Sequence, residues 1–171
     1  YSQSLRKYFF EENPFIQYQY DLLLRESLDY IVNFNSYISA IRVLDKKKRV
    51  ISYETITWDN YLNIYNFMND YLEQETVASK PFFTKPWSEP KTGKNYFAYI
   101  APIFSSVINT DETNIIGICI TIIDAAMFGR VIQNDEFLSD LHFVLSDNDH
   151  EVILSSFKPE HIANTLSLQK I

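Results

Sequence analysis

Few side chains in this sequence are spaced to do covalent chemistry. The three histidines, His142, His150 and His161, fall close together, but their spacings of eight and eleven residues fit no standard zinc pattern and no cysteine lies near them. The single cysteine, Cys119, has no partner for an internal disulfide. Set between Ile118 and Ile120, it reads as a buried small hydrophobe rather than a reactive thiol. The carboxylates are spread over expected turns and helix faces. A pair such as Asp59 and Glu89 could be aligned by folding, yet nothing in their spacing requires it. There is no G-x-S-x-G elbow, no G-x-G-x-x-G and no P-loop. The chain is therefore expected to hold no catalytic residue, no metal and no cofactor.

What the sequence does offer is aromatic rings with polar tips. Trp58, Tyr61 and Tyr65 lie at the start and on the inner face of an expected helix, Phe82 and Trp87 in an irregular stretch, Tyr96 and Tyr99 on an expected strand, and Asp124 at the end of another. Aromatic faces carrying a few hydrogen-bonding groups line small-molecule pockets, although most such rings taken singly serve as core. Trp87, in the proline-bounded "KPWSEPKTG", suits covering a cavity better than filling a sheet.

The elements that must position these residues follow from periodicity and punctuation. Residues 1–12 form a short amphipathic piece. Asn13 then offers an N-cap and Pro14 a first helical position, with Phe15, Tyr18, Leu22, Arg25, Leu28 and Ile31/Val32 on one face of a helix that closes near Asn35. A hairpin over 37–53 turns at Asp45–Lys48. A helix over 57–74 precedes an irregular loop at 80–95, which contains three of the six prolines. A strand at 96–107 pairs with "NIIGICITIID" (114–124), too short for a membrane span and apolar enough to be buried on both faces. Asp124 caps a short helix, 125–133. "FVLSDNDHEVILSS" (143–156) echoes "RVLDKKKRVISY" (42–53), as two related hairpins would. The order is that of an α+β fold rather than a doubly wound one.

Composition narrows the classes. The 171 residues fit one ordinary domain or one domain with part of another, and 46% hydrophobic residues are enough for a real core. A net charge of −7 with scattered lysines and arginines, apart from "DKKKR" at 45–49, argues against nucleic acid as a partner. Lack of disulfides suits a reducing compartment, and also the outer face of a Gram-positive or anaerobic cell. Opening on Tyr1 without a leader, the chain reads as part of a longer protein.

With these residues in place, a family likeness emerges. "TGKNYFAYIAPIF", a polar turn, "IIGICITIID" and a short helix resemble the Cache-type extracellular sensor modules. "AIRVLDKKKRVISY" resembles their opening hairpin, and "HFVLSDNDHEVILSS" the hairpin that begins the membrane-proximal module of double-Cache sensors. The chain is most similar to the outer domains of YesM-type sensor histidine kinases of Gram-positive bacteria. The resemblance implies a PAS-like antiparallel sheet with a long N-terminal helix and a ligand pocket beside the sheet. It implies three parts: an N-terminal helical segment, 1–36; a membrane-distal sensing module, 37–135; and the start of an incomplete second module, 136–171. It also implies an extracellular-facing input domain of a two-component sensor kinase, tethered to the membrane by flanking segments and homodimeric in the full-length receptor, with no catalysis of its own.

On that likeness the ligand-binding residues are Trp58, Tyr61, Tyr65, Phe82, Trp87, Tyr96, Tyr99 and Asp124. Amino-acid-binding members carry an arginine beside a Trp-Tyr pair to clamp the carboxylate. No arginine occurs between Arg49 and Arg130, and Lys80, Lys85, Lys91 or Lys94 would substitute less specifically. The expected small-molecule ligand is thus a sugar, polyol or short oligosaccharide rather than a free amino acid. Two other readings stay open: a cytoplasmic PAS-like binding module, and a small α+β enzyme acting through Asp59, Glu89 or Asp124.

Overall fold

The computed structural model describes residues 2–45, 50–54, 80–90, 92–105, 115–134, 144–146 and 152–155. In chain order its elements are helices α1 (Ser2–Phe10) and α2 (Pro14–Phe34), then strands β1 (Ile38–Asp45), β2 (Val50–Glu54), β3 (Phe82–Phe83), β4 (Trp87–Ser88), β5 (Asn95–Phe104) and β6 (Ile115–Asp124). Helix α3 (Ala125–Asn134) and strands β7 (Val144–Ser146) and β8 (Val152–Ser155) complete them. The expected helix over 57–74, with Trp58, Tyr61 and Tyr65, lies outside the described residues, as do the three histidines.

Local chemistry sets the long helix. The Asn13 side chain accepts a hydrogen bond from the Phe15 N–H at 3.0 Å, and Pro14 occupies the first turn, where a missing N–H costs nothing. At the other end the backbone N–H and side-chain amide of Asn35 both donate to the Ile31 carbonyl, at 3.1 and 2.7 Å. The face that docks shares Leu28 and Val32 with the expected one but not its N-terminal half. Leu24, Leu28 and Val32 are buried, whereas Phe15, Tyr18 and Leu22 are 69%, 58% and 48% exposed. Apolar side chains occur around most of this helix, so periodicity alone does not choose a stripe. The sheet takes the aliphatic i, i+4 row and leaves the aromatic one outside.

The apolar stretch is the centre of the main sheet. Its order is β2-β1-β6-β5-β3, with β4 also on β5, and all pairings are antiparallel. Strand β6 has β1 on one side and β5 on the other, and its side chains pack into a cluster on each face, which is why both faces are apolar. Alternation then sorts the side chains. Ile41, Val43 and Ile51 face α1 and α2 and join Tyr8, Phe9, Leu24, Leu28 and Val32 in one cluster. Ala40, Leu44, Tyr96, Ala98, Ile100, Ile118, Ile120 and Ile122 form a second cluster on the opposite face. Fully buried isoleucines such as Ile51, Ile100, Ile120 and Ile122 each stabilise the fold by about 1.5–3 kcal/mol relative to exposure. Helix α1 is tied down from afar by Arg6, whose Nε donates to the Phe104 carbonyl at 2.9 Å.

The stretch at 80–95 is more regular than its prolines suggest. β3 and β4 both pair with β5, in the registers Phe82↔Ile100 and Trp87↔Tyr96. Thr84 keeps the edge bonded between them: its N–H donates to the Ala98 carbonyl, and its hydroxyl accepts from the Ala98 N–H, both at 2.9 Å. Pro81 and Pro86 fall outside the two short strands, so neither removes a ladder N–H from them. The link from β4 to β5 closes with the Glu89 N–H on the Lys94 carbonyl and the Gly93 N–H on the Glu89 carbonyl, both at 2.8 Å. Gly93 there takes φ +65°, which glycine adopts without strain.

The second hairpin forms as expected. β7 and β8 make their own two-stranded antiparallel sheet. Ile153 and Leu145 pack with Phe97, Ile123, Ala125 and Phe128 in a third cluster that attaches this hairpin to α3 and the end of the main sheet. The architecture is α+β, a PAS-like antiparallel sheet with a long N-terminal helix laid on one face. No helix among the described residues is long and apolar enough to cross a membrane.

Candidate functional site

The face of the sheet away from α1 and α2 is an aliphatic wall into which a few polar groups are set. Cross-strand registry arranges it in rows. Asp124, Tyr96 and Trp87 share one row, Ala40, Ile122 and Ala98 the next, and Arg42, Ile120, Ile100 and Phe82 a third. Successive rows lie about 6.7 Å apart along the strands, so the arginine and the aspartate bracket a row whose ends are alanines.

Asp124 ends β6 and begins α3. Its Oδ1 accepts from the N–H groups of Ala126 and Met127, both at 3.0 Å, so it is the N-cap that the sequence suggests. Its other oxygen lies 3.5 Å from Lys94 Nζ, although that lysine is largely exposed and the contact is correspondingly weak. Asp124 therefore points one oxygen at a helix and turns the other toward the turn between β4 and β5. Tyr96, opposite Asp124, is buried beside Trp87, with ring centroids 6.2 Å apart. Burial raises its hydroxyl above the ordinary value of 10.0, and the carboxylates of Asp124 and Glu89 push it the same way. The phenol is therefore a protonated hydrogen-bond donor at any physiological pH.

Two members of this set were not anticipated as ligand-binding residues. Glu89 is only 1% exposed, in the turn after β4, and approaches Tyr96 closely enough to act on its hydroxyl. Arg42, only 3% exposed, is on β1 in register with Ile120. The absence of arginine between positions 49 and 130 does not keep a guanidinium off this face, because β1 lies directly beside β6 in the sheet. The signal was present in "SAIRVLD", where Ala40, Arg42 and Leu44 alternate with Ile41 and Val43. A charged residue in phase with small and aliphatic ones marks a polar group on a buried face.

Of the expected residues, Phe82, Trp87, Tyr96 and Asp124 come together on this face. Tyr99 does not. It is three positions from Tyr96 on one strand, so it points the other way, and its ring meets Phe83 at 5.0 Å. Trp58, Tyr61 and Tyr65 lie outside the described residues.

The set carries the chemistry that recognition of a small polar molecule requires: a guanidinium and a phenol that donate, two carboxylates that accept, and apolar area from tryptophan and isoleucine. Nucleophilic chemistry finds no support here. Cys119 lies on the opposite face, and burial pushes its thiol from the ordinary 9.0 to about 11, which keeps it protonated. Among the described residues, no group of three His, Cys, Asp or Glu side chains is placed to hold a metal.

No family model matches the sequence, and no curated protein matches it. Solved structures match in fold. The sensory domain of the Campylobacter jejuni chemoreceptor Tlp3 (CcmL), with isoleucine bound, superposes with a TM-score of 0.52 over 98% of this chain and 66% of that domain, at 10% identity. The ligand-binding domain of the same chemoreceptor in complex with L-norvaline gives 0.50, again at 10% identity, over 98% of this chain and 65% of that one. The complex with L-valine also gives 0.50. The chain spans just under two thirds of the length of the first two of these domains. The likeness is one of fold: this is the Cache-type fold of bacterial chemoreceptor sensory domains.

Proposed function

We propose that this chain is the extracellular-facing, small-molecule-sensing input domain of a membrane-bound signalling receptor. Its ligand would sit on the sheet face that carries Arg42, Trp87, Glu89, Tyr96 and Asp124. The observation that carries this reading is the burial of those polar groups among alanine and isoleucine. Such an arrangement costs stability unless the groups serve recognition or bond one another. The fold shared with chemoreceptor sensory domains supports it.

In the finer reading, the output is a two-component histidine kinase and the receptor is a homodimer tethered by membrane segments flanking this chain. The β7–β8 hairpin, within 136–171, begins a membrane-proximal module. Ligand binding would favour one of two arrangements of the helices leading to the membrane, by its difference in affinity for them. Tyr96 and two carboxylates suit the hydroxyl groups of a sugar or polyol. A second ligand class, the α-amino acid, is favoured by one observation that the sequence reading did not foresee. Arg42 stands on the same face as the two carboxylates, so that face carries both charge signs that the carboxylate and ammonium of an amino acid would need.

A thermal-shift screen of sugars, polyols, amino acids and simple carboxylates tests the reading. The expected result is a concentration-dependent rise in melting temperature with one class. Sugars alone would support the first ligand assignment and amino acids alone the second. No stabilisation by any member, together with a parent gene encoding no membrane segments, would overturn the sensor reading.

A further inference from the structure

An apolar space lies on the other side of the sheet. Between α1, α2 and the strands is a partly open pocket of about 290 Å³, with half-buried Ser27, Ile31 and Thr121 among its lining residues. Leu5 comes from α1, Leu24, Leu28 and Ile31 from α2, and Ile41 and Val43 from β1. Protein interiors leave few voids larger than a water molecule. A dry apolar cavity of about 150 Å³ in another protein is already large enough to take benzene, and this one is roughly twice that size.

Among the described residues, the polar side chains on its wall are Ser27, Cys119 and Thr121, and each is hydrogen-bonded. Ser27 Oγ donates to the Leu23 carbonyl at 2.8 Å. Cys119 and Thr121, neighbours on the same face of β6, are hydrogen-bonded through their side chains, and burial keeps the thiol protonated. Among the described residues, no charged side chain lines the space. An ion, a sugar or an amino acid entering it would lose its hydration and find nothing in return. An apolar occupant would instead supply the packing contacts that the lining methyl groups lack on their open side.

We propose that this pocket is a binding site for a small uncharged apolar molecule of the size of an alkylbenzene or an indole, separate from the polar face and independent of the sensor reading. An occupant would touch α1, α2, β1 and β6 together and would fasten the long helix to the sheet.

The test uses the 171-residue chain labelled at its methyl groups, titrated with toluene and with indole. Saturable shifts are expected at Leu24, Leu28 and Val43, with none at Ile100 or Ile122 on the opposite face, and the melting temperature should rise. Ser27→Leu fills the space from the helix and Cys119→Met from the sheet, and either should weaken binding at least tenfold. Shifts that grow linearly without saturating, or that map to Ile100 and Ile122, would overturn the proposal. So would undiminished affinity in whichever filling variant folds. If neither variant folds, the pattern of shifts in the unsubstituted chain decides alone. Because toluene and indole report on the helix side, a failure here leaves the test with sugars and amino acids standing.

Discussion

On the helix-covered face of the sheet, Ile41 and Val43 of β1 and Ile51 of β2 meet Leu24, Leu28 and Val32 of α2. On the other face, the intervening positions of β1 carry Ala40, Arg42 and Leu44, and the ends of β5 and β6 carry Tyr96 and Asp124. The same backbone supports both, since side chains two apart share a face and side chains one apart do not. One face is built to hold the long helix. The other buries hydrogen-bonding groups among aliphatic ones, and on the proposed reading those groups serve recognition. Truncation of aliphatic side chains on the helix face should therefore register in stability, and conservative substitution of the polar groups on the other face chiefly in binding.

The largest expected stability effect is on the helix side. Leu28→Ala should cost about 2–3 kcal/mol, toward the lower end for leucine truncation because the neighbouring pocket already leaves part of the side chain without contacts. Urea denaturation should show the loss as a shifted midpoint at unchanged slope. A loss below about 1 kcal/mol would mean that α2 is not docked through this row.

Alkaline pH probes both faces together. The Cys119 thiol and the Tyr96 hydroxyl hold their protons more tightly in the folded chain than in the unfolded one. Their contribution is complete below the ordinary values and is lost as pH rises through the folded ones. For Cys119 that window runs from 9.0 to about 11, with a loss on the order of 2 kcal/mol. The Tyr96 contribution falls away above pH 10.0. Denaturation midpoints measured from pH 8 upward should flatten over the lower part of the range in Cys119→Ala and over the upper part in Tyr96→Phe. An unchanged slope in Cys119→Ala would contradict the burial of the thiol.

A smaller effect is expected at the edge of the polar face. Asp124→Ala removes the cap of α3 and should cost about 1 kcal/mol, whereas Asp124→Asn keeps an acceptor for the Ala126 and Met127 N–H groups and should cost only a few tenths. Helical content by circular dichroism and thermal denaturation would separate the two. Smallest of all, Phe15→Ser on the exposed side of α2 should change stability by less than about 0.5 kcal/mol. A larger loss would show that the aromatic row, not the aliphatic one, is the buried face.

The distribution of correct and incorrect expectations follows the same contrast. Features fixed by neighbouring residues were readable: the Asn13–Pro14 helix start, the Asn35 stop, the Asp124 cap, both hairpins, and the central position of the Ile115–Asp124 strand. Features fixed by non-local pairing were not. Which stripe of α2 is buried depends on the sheet it meets. The pairing of Phe82 and Trp87 with β5 depends on partners eighteen and nine residues away. Arg42 reaches the polar face only because β1 lies beside β6. Tyr99 was grouped with Tyr96 by composition, although an odd separation on a strand puts the two on opposite faces.

The central claim, that the polar face receives a small molecule, is tested most directly by calorimetric titration of the strongest thermal-shift ligand into the unsubstituted chain, Tyr96→Phe and Arg42→Met. Arg42→Lys serves in place of Arg42→Met if that variant does not fold. The account predicts saturable binding to the unsubstituted chain that weakens at least tenfold in Tyr96→Phe or in the Arg42 variant, while each folded variant keeps its helical content. Equal affinity in all of them would place the ligand elsewhere and contradict the account.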